Sequence, residues 1–249
     1  MHPGRGARAT TVAAVLLAAL TAGCAAVTPT WTPRTASSTP APPASPSPTP
    51  STTPTPSPLA MVAARIPYGP ERREQMADYS LRRYGERSAD LMPHAIVVHF
   101  TESPDDPWVT INFFAGNQPN AGTLPGVCTH FLIDKVGTIY DLVATDTRCR
   151  HAVGLNHVAL GIEVVQSTEG HSSHWADDQI LARQPQMDAL IALIGQLQQQ
   201  FSIPTDRVQG HGTADTDPEF KDLTGMRNDH TDIGPDAVAE IRRRLEATP

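Results

Sequence analysis

Negative charge is missing from the first 58 residues, which hold three arginines (Arg5, Arg8, Arg34) and no carboxylate. That leaves 16 Lys and Arg against 26 Asp and Glu in residues 59–249, a net charge of −10. No basic stripe interrupts this acidity, so the folded part repels phosphates and a nucleic-acid partner is excluded. Long apolar runs are also missing. The N-terminal run from Val12 to Leu20 is far shorter than the roughly 20 residues needed to cross a bilayer, which excludes a permanent span there. Cysteine is scarce, with three in the chain, and none has a second cysteine at CxxC spacing, which argues against a thiolate metal site. No internal repeat is present, so a solenoid or propeller is not expected.

What is present at the N-terminus is an export signal. Arg5 and Arg8 precede the short apolar run, and LTAGC follows, with small residues before Cys24. That sequence resembles a bacterial lipobox, although Thr21 stands where leucine is more usual. Residues 1–23 are therefore expected to be a lipoprotein-type signal peptide, with Cys24 lipidated and the protein held on the outer side of a bacterial cell membrane. Cleavage by the ordinary signal peptidase, giving a freely secreted protein, is the alternative. Residues 28–58 contain 26 Pro, Ser or Thr among 31 positions, 11 of them proline. Such a stretch buries no core and stays extended, reaching roughly 95 Å at about 3.1 Å per residue. Residues 24–58 thus read as a lipidated cysteine and a linker, and residues 59–249 as one domain. In an exported domain the two remaining cysteines, Cys128 and Cys149, are expected to form a disulfide across an apparent hairpin, with separate buried thiols as the alternative.

Periodicity within 59–249 predicts an α/β domain: a mixed central β-sheet flanked by helices. The packed part begins near Ile66. Residues 70–86 suit a surface helix with Met76, Tyr79, Leu81 and Tyr84 as its apolar positions. AIVVHFT (95–101) and ALGIEVV (159–165) read as buried strands. Residues 107–116 read as a short helix or a binding loop. THFLID and TIYDLV form a hairpin about Gly137. Residues 185–201 form a long helix with Pro204 beyond its end, RVQGHG a strand entering a loop, and PDAVAEIRRRLEA the last helix, with Pro235 near its start.

Some polar residues sit where strands should be apolar. Alternation puts Val97, His99 and Thr101 on one face of their strand, and Glu163 interrupts LGIEVV. His211 follows a strand end between two glycines. His230 and Asp232 lie in NDHTD. Singly, each has an ordinary structural explanation. Together they supply what a catalytic zinc site needs: two imidazoles and a carboxylate on the metal, an open fourth position, and a further carboxylate for the proton.

The segments IVVHF, THFLIDKVGTIYDLV, CRHAVGLN, ALGIEVV, QGHG and HTDIGP resemble, in order, the type 2 N-acetylmuramoyl-L-alanine amidases, a family that includes the peptidoglycan recognition proteins. The resemblance covers roughly residues 90–245. It implies a monomeric enzyme with one zinc ion, held by His99, His211 and Asp232, that cuts peptidoglycan or muropeptides between N-acetylmuramic acid and L-alanine. It implies Glu163 as the group that moves the proton, and His151 with Asn156 as groove residues that bind substrate. Two departures stand out. Many members carry a lysine two residues before the third ligand, where this chain has His230, read as a stabiliser of the oxyanion or as a ligand itself. The stretch between His211 and Asp232 is long and makes Asp215, Asp217 and Asp229 rival ligands. Thr129 stands where another branch has a tyrosine, leaving the proton work to Glu163. His130 is read as structural, and His94, His157, His171 and His174 as loop residues. Two competing functions remain open: a non-catalytic peptidoglycan-binding module of the same fold, and a zinc peptidase acting within the stem.

The lipid anchor is directly testable. Cys24→Ser is expected to move the protein from the membrane fraction to the soluble fraction, and unchanged fractionation excludes lipidation at Cys24.

Overall fold

Two six-residue strands, β2 (Ala95–Phe100) and β5 (Ala159–Val164), are buried along their whole length. Continuous apolar runs of this kind belong to parallel strands covered on both faces, and the pair is parallel, with Ala95 opposite Ala159 and His99 opposite Glu163. The computed structural model describes residues 59–248. The expected signal peptide, Cys24 and the Pro/Ser/Thr-rich linker lie outside the described residues.

The chain order is β1 (Val62–Ala63), α1 (Pro70–Tyr84), β2, α2 (Pro107–Ala115), β3 (Phe131–Ile133), β4 (Ile139–Asp141), β5, α3 (Ser173–Ala182), α4 (Gln184–Phe201), β6 (Val208–Gly210) and α5 (Pro235–Glu246). The sheet runs β1-β4-β3-β5-β2-β6. Only β3 and β4 pair antiparallel, so the expected α/β domain with a mixed central sheet is what the chain forms. No helix among the described residues is long and apolar enough to cross a membrane.

The two sheet faces do different work. Ile96, Val98, Phe100, Leu160, Ile162 and Val164 point to one face and join the main core beneath α3, α4 and α5. Val97 and Ala159 point to the other and pack with Ala152, Leu155 and Ala214. His99 and Glu163 share that second face by alternation. The C-terminal ends of β2, β5 and β6 lie together because all three are parallel. In open α/β sheets that end is where ligands bind.

Local chemistry sets the helix limits. Pro70 starts α1, Arg82 and Arg83 sit in its last turn, and Gly85 (φ 76°) ends it with its N–H on the Leu81 carbonyl. Met76, Tyr79 and Tyr84 are buried, but Leu81 is 47% exposed. At 100° per residue it stands about 200° from Tyr79, on the outer face. Residues 107–115 are a helix rather than a loop, with the Asp106 carboxylate accepting the Trp108 N–H.

Two elements escaped the sequence reading. Helix α3 is capped by Ser172, but its segment is polar and buries only Ala176 and Ile180 as an apolar stripe. His174 therefore lies on a helix, not in a loop. Strand β1 is two residues long with exposed side chains, and packing begins just before it, with Leu59 and Met61 against the main core, rather than at Ile66. Cys128 and Cys149 form a disulfide, with Cα atoms 5.5 Å apart, across the segment that carries β3 and β4.

His130 is fully buried. Its Nδ1 accepts the Gly161 N–H at 2.9 Å, and its Nε2 donates to the Thr147 carbonyl at 2.9 Å. This is a neutral tautomer tying β3 to β5, and burial pulls the imidazole pKa down to about 4. As pH falls below the unfolded value near 6.5, the unfolded chain binds this proton first and the fold loses stability until about pH 4. The contribution is about 3 kcal/mol over that window. Urea unfolding of His130→Gln should show a shallower loss of stability between pH 6.5 and 4 than the parent; parallel slopes would assign the effect elsewhere.

Candidate metal centre

The register that opposes His99 and Glu163 sets one side of the site. His211 enters from the third parallel strand: β6 ends at Gly210, and His211 opens a short 3-10 helix. Asp232 comes from the loop before α5. His99 Nδ1 lies 3.7 Å from Asp232 Oδ2, and His211 Nδ1 lies 3.1 Å from Asp232 Oδ1. The three residues form a group able to hold one metal ion, the only such group found among the described residues.

The donor set fits zinc. Two imidazole nitrogens and a carboxylate are donors that zinc accepts in a four-coordinate site with one position left open. Metal-binding imidazoles must be neutral. Burial, with His211 and His151 adding to it, drives the His99 pKa well below its usual value, so His99 stays neutral.

His151 supports His99 from behind. His99 Nε2 is 3.0 Å from His151 Nδ1, and His151 Nε2 is 3.2 Å from the Ala159 carbonyl. That carbonyl can only accept, so His151 donates to it through Nε2 and accepts from His99 through Nδ1. His99 Nδ1 is then left unprotonated toward Asp232. The ring lies flat enough on β5 that a Cβ at Gly161 would come within 2.8 Å of it. His151 is half-buried and also lines the groove.

Asn156 lies beneath the groove. Its Oδ1 accepts from the backbone N–H groups of His151 and Ala152, and its Nδ2 donates to the hydroxyls of Tyr79 and Tyr84. All four of its hydrogen-bonding positions are spent inward, tying the loop that carries His151 to α1.

Glu163 is the anomaly. Its Oε2 is buried without a hydrogen-bond partner. Burial first, and then the charge of Asp232, push its carboxyl pKa well above the usual carboxylate range. A carboxyl held this way beside a metal-binding group is suited to proton transfer.

His230 stacks on His211, with centroids 3.9 Å apart and planes 17° apart, and its Nδ1 is 3.7 Å from Asp232 Oδ1. It is not part of the three-residue metal group. Burial and His211 lower its pKa from 6.5. Two of the three rival carboxylates are engaged elsewhere: Arg207 holds Asp217 at 2.9 Å and Arg227 holds Asp215 at 2.9 Å. Asp229 lines the groove but is not part of the three-residue metal group. Thr129 is fully buried, with its hydroxyl on the Phe131 carbonyl.

These groups open into a groove of about 970 Å3. Helix α2 forms one wall, with Phe113 58% exposed. The long segment after His211 forms another. Arg83 of α1 ties that segment down through Asp222 at 2.8 Å, and Asn228 donates from its side chain to the His211 carbonyl. One residue of the site's surroundings went unread in the sequence. Asp177 of α3 accepts the backbone N–H groups beside Asp232, and nothing in the polar segment around it distinguishes it from Asp178.

Residues 89–230 match the family described as N-acetylmuramoyl-L-alanine amidase. Among solved structures, the chain is similar to the N-acetylmuramoyl-L-alanine amidase LysC from Clostridium intestinale URNW, at 24% identity and a TM-score of 0.44, covering 64% of this chain and 89% of that one. It is also similar to a mutant endolysin from Bacillus subtilis, at 16% identity and a TM-score of 0.46, covering 76% and 97%. No curated protein matches it.

Removing one donor should empty the centre. His99→Ala and Asp232→Ala proteins are expected to carry a small fraction of the roughly one zinc per chain bound by the parent, measured by elemental analysis. Full stoichiometry in both would move the site elsewhere.

Proposed function

The chain belongs to the N-acetylmuramoyl-L-alanine amidase family, and on that footing we propose that it hydrolyses the amide between N-acetylmuramic acid and L-alanine in peptidoglycan or muropeptides, with one zinc ion held by His99, His211 and Asp232. The observation that carries this reading is the convergence of those three donors with the unpartnered carboxylate of Glu163. A protein that only bound its ligand would have no use for a buried carboxyl without a partner, which is costly to desolvate.

A bound zinc supplies Lewis acidity, polarising a carbonyl and acidifying water toward about pKa 7. Glu163 accepts the proton of the attacking water at the carboxylate oxygen that faces the groove. The same carboxyl then returns the proton to the departing alanine amine. His230, at the mouth of the site, donates a ring N–H to the developing oxyanion. With its pKa lowered, it does so as a neutral imidazole near pH 7, where the more usual lysine would carry a charge. His151 keeps His99 in the metal-binding tautomer and presents its open edge to substrate. Asn156 fixes the loop that holds His151.

We place the protein outside the cell membrane, tethered by lipid at Cys24, on the strength of the N-terminal signal. The Cys128–Cys149 disulfide supports an oxidising compartment.

Glu163→Gln is expected to retain zinc and lose about 10²–10⁴-fold in kcat on defined muropeptides. Unchanged turnover removes Glu163 from the mechanism. Product masses test the bond: free stem peptide beginning at L-alanine supports the amidase, shorter peptides indicate a peptidase, and no products with retained binding indicate a binding module.

A further inference from the structure

The turn that carries Asp232 is held under constraint. Ile233 has φ 52°, in the left-handed region where a β-branched residue is a genuine outlier. Its side chain is buried in the main core, so the turn cannot relax by swinging it into solvent. The turn also lies hard against β6: a Cβ on Gly210 would fall 1.9 Å from the Ile233 carbonyl oxygen. Strain of this kind persists only where surrounding groups over-determine it.

One side chain supplies that determination. Asp177 Oδ1 accepts the Ile233 N–H at 3.0 Å, and Oδ2 accepts the Gly234 N–H at 2.9 Å. Asp177 is 3% exposed. Capping α5 alone needs one acceptor, and Ser172 shows that a hydroxyl suffices for α3. A buried carboxylate is the more expensive choice, but only a carboxylate or its protonated form offers two oxygens to two successive N–H groups. Two further ties converge on the turn. Ser173 Oγ meets Thr231 Oγ1 at 2.7 Å, and the Gly212 N–H donates to the Asp232 carbonyl at 2.7 Å. The turn around Asp232 is thereby tied to α3 and, through Gly212, to the residue beside His211.

We propose that Asp177 is a positioning residue of the metal centre: by gripping the Ile233 and Gly234 N–H groups it holds the strained turn that aims the Asp232 carboxylate at His99 and His211. Helix α3 is then part of the site's support rather than a mere cover for the sheet. The inference rests on the metal reading of the site given above.

The test uses the full chain loaded with zinc. Asp177→Asn keeps the shape but sets an amide N–H2 against one backbone N–H. Its zinc Kd, measured by competition with a chromophoric chelator, is expected to rise about 10- to 100-fold, and the visible absorption bands of the Co2+-substituted protein are expected to shift as the ligand geometry loosens. A lower Tm with zinc affinity and cobalt bands unchanged would reduce Asp177 to a helix cap and overturn the proposal. Should Asp177→Asn fail to fold, Asp177→Ser decides, because a hydroxyl can still accept one of the two N–H groups: several-fold weaker zinc binding supports the clamp, and unchanged binding overturns it. A wild-type chain that binds no zinc sinks the metal reading and the clamp together, whereas a wild-type chain that binds zinc no better than Asp177→Asn sinks the clamp alone.

Discussion

The in-register parallel pairing of β2 with β5 sets His99 directly opposite Glu163 near the C-terminal ends of two buried strands. Two ionisable groups in strands that are otherwise apolar are costly to desolvate. The structure meets that cost unequally. His99 is fully used, with one nitrogen on His151 and the other facing Asp232. Glu163 keeps an oxygen without a partner. Shifting either strand by one residue would turn its own ionisable side chain into the helix-packed core on the other face and break the pair.

The rest of the centre is built on that pair by backbone close approach. Gly161 makes room for the His151 ring, and Gly210 for the carbonyl of Ile233. Neither glycine is there for a positive φ; each is there because a methyl group would occupy space that a site residue needs. The long segment after His211 is not a loose insertion. Arg83, Asn228 and the Asp217–Arg207 pair tie it to α1, to His211 and to the root of β6. It forms a groove wall and holds Asp215, Asp217 and Asp222 in ion pairs of their own. His230 is stacked on His211 at the groove, where the sequence resemblance leads one to expect a lysine, and an imidazole is a group that titrates near neutral pH.

Much of the fold was legible before any coordinates. The apolar runs gave β2 and β5 as buried strands, the 3.6-residue stripe of Met187, Leu190, Ile194 and Leu197 gave α4, and Gly137 marked the β3–β4 hairpin. The three metal-group residues were legible too, because a histidine and a glutamate inside apolar strands need a reason to be there, and the motifs around His211 and Asp232 supplied the rest by resemblance. Helix α3 was not legible. Its stripe is two residues wide and its polar composition reads as a loop, so Asp177 had no context in which to stand out.

The sequence by itself determined which strands are central and that charge must be buried in them, since periodicity and apolarity are local properties of the chain. The residues of the centre come from β2, β5, the end of β6 and the turn before α5, segments that together span more than a hundred residues of chain. Only the tertiary structure decided that Asp232 and not Asp215 or Asp217 meets His99 and His211, that Asn156 turns inward, that His151 backs His99, and that Asp177 reaches the turn. Such choices depend on distances between segments far apart in the chain, and those distances exist only once strand register and helix packing have brought the segments together.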